Sequence, residues 1–290
     1  MCRRLPFVTG AATTTPIVAL VIPCFNDGEY LTAAVASLDE RIAVERVIID
    51  DGSTEPATLQ LLDELESRGW RVIHQENTKL AGAVQRGIDE TTAPYFFRLD
   101  ADDLLFPGAL EQLVNALERD PEAGFAFGDF EFFGAQDGIW RAPPFDPWMV
   151  IYGNFWSPSI CFRRTVLEQV GGYRQGWYYE DWNMYMRLAQ NDIKGVHAGC
   201  MTYRRRLLDG RMQAQHRARH REIYGEMRRE HAAFFERKDE FRRASNPALW
   251  KRATYPLFLG PRYALPEPLY RLAVKSKLVL GRARRGSSGR

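Results

Sequence analysis

Along the first 120 residues, short apolar runs alternate with stretches whose apolar positions recur every three or four residues. Ile17–Ile22 is continuous, apolar and rich in β-branched residues, the pattern of a strand buried on both faces. Tyr30, Leu31, Ala34, Val35 and Leu38 then fall at helical spacing, with Asp27 as a candidate N-cap. The alternation recurs three times. Arg46–Asp50 predicts a strand, and Leu61, Leu62 and Leu65 a helix capped by Ser53 or Thr54. Arg71–His74 predicts a third strand, and Leu80, Val84 and Ile88 a helix. Tyr95–Leu99 predicts a fourth strand, and Leu110, Leu113, Val114 and Leu117 a helix with Pro107 in its first turn.

Strands alternating with helices imply βαβ units, right-handed crossovers and a largely parallel sheet. Ligands of such sheets bind outside the carboxyl ends of the strands. That rule selects Pro23–Asn26, Asp50–Ser53 and Asp100–Asp103. Beyond residue 120 the pattern becomes mixed. Phe125–Phe133 and Ser159–Arg163 read as strands, and Asp181–Gln190 as a helix with Trp182, Tyr185, Met186 and Ala189 on one face. Residues 213–243 read as one long charged helical stretch, followed by Pro247, Pro256, Pro261, Pro266 and Pro268 in an aromatic-rich tail.

Composition narrows the class. Of 290 residues 45% are hydrophobic and 26% charged, which excludes a disordered or collagen-like chain. The longest apolar run, Ile17–Phe25, is nine residues, against the ~20 that span a bilayer. Residues 1–7 carry no signal-peptide apolar region, so the expected location is cytoplasmic. Cys2, Cys24, Cys161 and Cys200 are far apart and form no C-x-x-C, which predicts reduced, buried thiols. The net charge of +2 conceals a split. Residues 1–200 carry 16 basic and 29 acidic side chains (−13), and residues 201–290 carry 23 and 8 (+15).

Four clusters carry candidate chemistry. Arg98-Leu-Asp100-Ala-Asp102-Asp103 puts three carboxylates in four residues at a strand end, where they suit a hard cation such as Mg²⁺ or Mn²⁺ or form a solvated turn. Asp50-Asp51-Gly52-Ser53-Thr54 offers carboxylates to a base or ribose, or a turn with an N-cap. Pro23-Cys-Phe25-Asn26-Asp-Gly-Glu29-Tyr30-Leu31 ends a strand and gives Phe25 either to a base or to the core. Trp177-Tyr-Tyr-Glu180-Asp181-Trp182 opens a helix, where carboxylates are stabilised by the macrodipole and one could serve as a general base beside aromatic faces suited to a sugar.

In this order and spacing, residues 17–205 resemble glycosyltransferase family 2, the large inverting family with the GT-A fold. Pro23–Leu31 is similar to its P-x-(Y/F)-N element, Asp50–Thr54 to its D-D-G-S-T, Asp100–Asp103 to its DxD motif, and Glu180-Asp181-Trp182…Arg187-Leu188-Ala189 to its "ED…RLA" helix. Ser159–Arg164 with Val170–Tyr173 is similar to its mid-chain element. Two departures stand out. The segment from Asn77 to Ile88 carries Lys79 and Arg86 where the family pattern has Gly and Asn. Where some relatives carry a Tyr-Arg-x-His loop, Tyr203-Arg204-Arg205-Arg206 has no His, so these arginines either meet the diphosphate or take no part.

The resemblance implies an α/β, GT-A fold with a mostly parallel mixed sheet flanked by helices. It implies a lead-in over 1–15, a catalytic domain over 16–205 (nucleotide-sugar half 16–105, acceptor half 106–205) and a basic helical extension over 206–290. It implies transfer of a sugar from a nucleoside diphosphate sugar, by default a UDP-sugar, to a saccharide or lipid-linked saccharide in bacterial surface polysaccharide or glycolipid assembly. Asp181 would be the catalytic base. Pro23, Phe25, Asn26, Glu29, Asp51, Lys79 and Asp100 would meet the donor nucleotide. Asp102, with Asp100, would hold Mn²⁺ or Mg²⁺, and Asp103, Glu180, Trp156, Trp177, Trp182 and Arg204 would lie toward the acceptor or in support. A sugar-phosphate nucleotidyltransferase and a non-catalytic sugar-nucleotide scaffold are the alternatives. The first lacks its Gly-rich basic loop after strand one, and against the second stand Asp100, Asp102 and Asp181.

The basic tail could dock on an anionic membrane face or pack on the catalytic domain; nucleic acid fits such a body poorly. No G-x-G-x-x-G, Walker A or G-x-S-x-G motif is present, and His216…His220 on a basic stretch reads as a solvated face.

Overall fold

The computed structural model describes residues 15–176, 179–208 and 219–260. Four parallel strands make one half of its sheet: β1 (Val18–Cys24), β2 (Val44–Asp50), β3 (Arg71–His74) and β4 (Tyr95–Arg98), in the order β3-β2-β1-β4. All seven residues of β1 are buried, as a central strand covered on both faces requires. Its register with β2 runs from Val18↔Val44 to Cys24↔Asp50, and with β4 to Val21↔Arg98, so the three carboxyl ends open on one edge. Helices α1 (Gly28–Ala36), α2 (Pro56–Ser67), α3 (Lys79–Asp89) and α4 (Ala109–Arg119) follow the strands. Helix α3 approaches β1 closely because Gly87 has no side chain; a Cβ there would come within 2.3 Å of Val21.

Of three expected helix starts, the first holds in position and the other two are corrected. Asp27 sits at the N-cap of α1 without a capping bond; Thr58 Oγ1, from α2, accepts the Gly28 N–H at 3.1 Å. Helix α2 starts at Pro56 after Glu55, and Ser53 Oγ accepts the Asn26 N–H instead. Pro107 lies ahead of α4, whose first N–H groups are taken by a carboxylate from elsewhere in the chain: Glu40 accepts from Leu110 at 2.9 Å and Glu111 at 3.0 Å.

The second half adds β5 (Leu104–Leu105), β6 (Ala123–Gly134), β7 (Gly138–Trp140), β8 (Cys161–Arg163) and β9 (Lys194–Leu207). Among the described residues these complete one nine-stranded sheet, β3-β2-β1-β4-β8-β6-β9-β5, with β7 on β6. Strand β8 runs antiparallel to β4 and β6, while β6 and β9 are parallel with register shifts. Strand β9 contains the Tyr203–Arg206 segment that reads as a loop in the sequence. Its register shifts and run of three arginines hide the two-residue alternation that marks a strand. Helices α5 (Pro147–Val150), α6 (Arg164–Val170) and α7 (Glu180–Gln190) flank this half.

The long helical stretch is broken at His231 and Arg237 into α8 (His220–Glu230), α9 (Ala232–Glu236) and α10 (Lys238–Ser245), followed by α11 (Leu249–Phe258). Ile223, Tyr224, Met227, Phe234, Phe241 and Tyr255 share one buried cluster with Trp148, Tyr152 and Trp182. Residues 219–260 therefore pack on α5, α7 and the segment between α5 and β8. His220, which reads as solvated, is buried and bonds the Gly260 carbonyl at 2.8 Å. Cys24, Cys161 and Cys200 are buried. Among the described residues no helix is long and apolar enough to cross a membrane. Residues 1–14 of the lead-in over 1–15, Trp177, the start of the helical stretch at 213–218 with His216, and the tail over 261–290 lie outside the described residues.

Candidate active site

The ends of β1 and β2 are stitched by Asn26. It adopts φ 57°, a left-handed conformation that Asn tolerates better than most residues, and its Oδ1 accepts the N–H of Thr54 (2.8 Å) and Glu55 (3.0 Å). Asp50 is buried and holds the Ser53 N–H at 2.9 Å and His74 Nδ1 at 2.8 Å. Asp51 Oδ1 accepts from Gln75 Nε2 (2.7 Å), the Thr78 N–H (2.8 Å) and Thr78 Oγ1 (3.0 Å), which fixes the loop into α3. Phe25 is 44% exposed on this rim, so its ring is free of the core. Glu29 and Lys79 are exposed, and Lys79 has φ 66°. Pro23 is inside β1, buried and paired opposite Ile49, which removes its side chain from the rim.

At the end of β4 the organising group is Arg98, 2% exposed. Its Nε and Nη2 grip both oxygens of Asp100 at 2.6 and 2.9 Å, and its Nη1 donates to Glu180 Oε1 at 3.0 Å. One guanidinium thus joins the DxD segment to the N-terminus of α7. Burial and the carboxylates of Asp100 and Asp27 push Asp102 up to about 6. Burial, Asp100 and Asp102 also raise Asp103, which is buried and accepts the Arg206 N–H at 2.8 Å. Asp103 braces β9 from inside.

Successive side chains of β9 alternate in direction. Arg204 pairs with Glu131 at 3.0 Å and lies 4.8 Å from the Phe133 ring centroid. Arg206 stacks over Phe133 (4.4 Å) and Tyr30 (4.8 Å) while its Nε donates to the Asp102 carbonyl at 3.0 Å. Arg205 takes the other direction. Burial opposes its charge, but Tyr203 and the carboxylates of Asp103, Asp181 and Asp100 hold its pKa above the ordinary value.

Asp181 is oriented from two sides: Asn154 Nδ2 donates to Oδ2 at 2.6 Å and the Trp182 N–H to Oδ1 at 2.7 Å. Glu180 is raised by burial and by Asp181, with Arg98 opposing. The expected acceptor aromatics are corrected. Trp156 and Trp182 are buried, with their indole N–H groups given to the carbonyls of Pro143 (2.9 Å) and Val150 (2.7 Å), so both are core residues. Asn154, Gln75 and Thr78 carried no motif, and only their contacts with aspartates bring them into the site.

These residues fit a shared divalent cation and not a self-contained one. Asp102 is a crowded carboxylate beside two others, and Asp100 has both oxygens occupied by Arg98. Among the described residues no group of three or more His, Cys, Asp or Glu is arranged to hold a metal. A hard cation taking one carboxylate plus substrate phosphates suits this arrangement.

A parallel half-sheet whose carboxyl ends gather acidic loops, continued by a half of mixed parallel and antiparallel strands, is the GT-A architecture of nucleotide-sugar transferases. The Glycosyl transferase family 2 profile matches residues 19–211, well over half of the chain, and the chain belongs to that family. It is 26% identical over 232 residues to protein y4gI of Sinorhizobium fredii, covering 76% of this chain and 25% of that one. It is 28% identical over 179 residues to the O-antigen biosynthesis protein RfbC of Myxococcus xanthus, covering 56% and 13%. The chain thus spans a quarter or less of the length of these relatives. S. aureus TarS 1–349 in complex with UDP-GlcNAc superposes with a TM-score of 0.62 at 17% identity, covering 77% of this chain and 71% of that one.

Proposed function

We propose that the chain moves a sugar from a nucleoside diphosphate sugar to an acceptor hydroxyl with inversion at the anomeric carbon. The observation that carries this reading is Arg98, which fixes Asp100, at the donor end of β4, against Glu180, next to Asp181. Asp51 and the exposed face of Phe25 are offered to the nucleoside, and UDP is the nucleotide first tested. Asp181, oriented by Asn154, takes the acceptor proton as the hydroxyl oxygen bonds to the anomeric carbon. The bond from that carbon to the diphosphate breaks in the same displacement, and the nucleoside diphosphate leaves with the electron pair. A cation, Mn²⁺ or Mg²⁺, held by Asp102 would neutralise charge on the leaving diphosphate. Arg205 and Arg206 place two further positive charges beside that loop.

The name of RfbC, an O-antigen biosynthesis protein, supports an acceptor in surface polysaccharide assembly, a saccharide or lipid-linked saccharide, and the UDP-GlcNAc bound to TarS supports a UDP-sugar donor. Helix α11 exposes Leu249 (79%), Trp250 (61%) and Leu257 (53%) beside Lys251 and Arg252, which supports docking on an anionic membrane face. Co-sedimentation with anionic vesicles should fall when Trp250 and Leu257 become Ser; equal binding by parent and variant would remove the membrane from this reading. The activity itself is tested by Asp181→Asn. Transfer should drop by about 10²-fold or more while UDP-sugar binding, read calorimetrically, stays within about twofold. Transfer at the parental rate would overturn the base assignment.

A further inference from the structure

Helix α7 holds a second charged group that the transfer reaction does not use. Arg187, 4% exposed, donates from Nε to Asn183 Oδ1 (3.0 Å) and from Nη1 to the carbonyls of Val170 (2.7 Å) and Gly172 (2.5 Å). All three acceptors are neutral, and Nη2 has no hydrogen-bond partner among the described residues. The guanidinium lines a cleft of about 200 Å³ between α6, α7 and α8. Arg174 lines it too, and the acidic side chain in the lining is Glu230, which takes Arg174 Nη1 at 3.0 Å. Two guanidiniums therefore share one carboxylate. His231 adds no charge at neutral pH, because burial pushes it down to about 4.

A buried charge without a counter-charge costs several kcal/mol, so buried cations are ordinarily paired. The cleft has the volume of roughly six or seven waters at ~30 Å³ each, enough for a tetrahedral oxyanion and some of its hydration. Gln169 and Gln190, whose amides can donate hydrogen bonds, also line it. We propose that this cleft is a binding site for a phosphate-class oxyanion, which supplies the counter-charge to Arg187 and Arg174. Arg187 lies six residues along α7 from Asp181, ~9 Å of helix rise, so the site is separate from the donor pocket. Because α8 forms one wall, the anion clamps residues 219–230 onto the family domain.

The test uses the full chain, inorganic phosphate as the probe, and sodium chloride at matched ionic strength as the control. Phosphate should raise Tm saturably, with chloride giving no such rise and saturating UDP leaving the effect in place. Arg174→Gln, at a half-exposed position that folding tolerates, should weaken phosphate by about fivefold or more, the loss of one charge-assisted hydrogen bond. A parallel arm uses phosphatidylcholine vesicles with and without phosphatidic acid. Binding to the acidic vesicles that Arg174→Gln abolishes assigns the site to a lipid headgroup; saturation by free phosphate with no vesicle binding assigns it to a soluble anion. Equal shifts with phosphate and chloride, displacement by UDP, or unchanged affinity in Arg174→Gln would each overturn the proposal.

Discussion

Arg98 Nη1 donates to Glu180 Oε1 at 3.0 Å across the gap between the end of β4 and the start of α7. The guanidinium is almost fully enclosed, and its remaining donors grip Asp100. The same side chain thus holds the end of β4 and the start of α7 at a fixed separation. Removing it leaves two partly buried carboxylates without the cation they share. Arg98→Met should destabilise the protein by about 3–5 kcal/mol, measured by urea unfolding, because an uncompensated buried charge is left behind. Adding Glu180→Gln should recover part of that loss. A cost under about 1 kcal/mol would mean that the pair is solvated and does not organise the site.

Lys79 tests the backbone reading of α3. Its φ of 66° is a conformation that an L side chain enters at a cost of about 1–2 kcal/mol, and that Gly enters freely. Lys79→Gly should leave stability level or raise it by up to about 1 kcal/mol, while Lys79→Val should lower it by a similar amount. Comparing the UDP-sugar affinities of Lys79→Gly and Lys79→Met then separates any side-chain contact from the backbone effect. If Val is tolerated as well as Gly, the left-handed geometry at 79 is not held in solution.

The sequence made the donor half legible because its strands are buried on both faces and its helices are amphipathic, so period and burial agree from Ile17 to Leu117. The family pattern supplied Asp51, Asp100, Asp102 and Asp181. It could not supply what those aspartates touch. Asp51 is saturated on one oxygen by Gln75 and Thr78, and Asp100 by Arg98, through contacts set by tertiary approach. The arginine run failed for a different reason. Only a strand gives Arg204 and Arg205 opposite directions, and β9 is too irregular for its alternation to be read from residue types. The tryptophans misled because an aromatic near a motif reads the same whether it lines a cleft or fills a core.

His231 makes the junction of α8 and α9 sensitive to acid. It is buried against α7, where Asn183 Nδ2 lies 3.0 Å from its Nε2, and burial pushes it from 6.5 down to about 4. Between those values the unfolded chain binds more protons than the folded one. The contribution is therefore complete above about pH 6.5 and is lost as pH falls toward 4, for a total on the order of a few kcal/mol. His231→Gln should flatten the stability profile between pH 6.5 and 5 relative to the parent. Parallel profiles for the two proteins would show that His231 is not held neutral.

Tyr255 decides how the C-terminal helices are used. It lies in the segment whose mixture of aromatics, aliphatics and cations suits either a membrane anchor or a packed helix. Its ring stacks on Trp148 (5.6 Å, 11°) and Phe155 (5.5 Å, 17°), so this face of α11 belongs to the core that also buries Trp156 and Trp182. The exposed Trp250 and Leu257 leave the other side open. Tyr255→Ala should cost about 3 kcal/mol by opening a cavity beside two large rings, while vesicle binding by the folded variant stays at the parental level. Tyr255→Phe, which keeps the stack, should stay within about 0.5 kcal/mol of the parent. If Tyr255→Ala were instead neutral for stability and abolished vesicle binding, the ring would be part of the anchor, and α11 would not be part of the fold in solution.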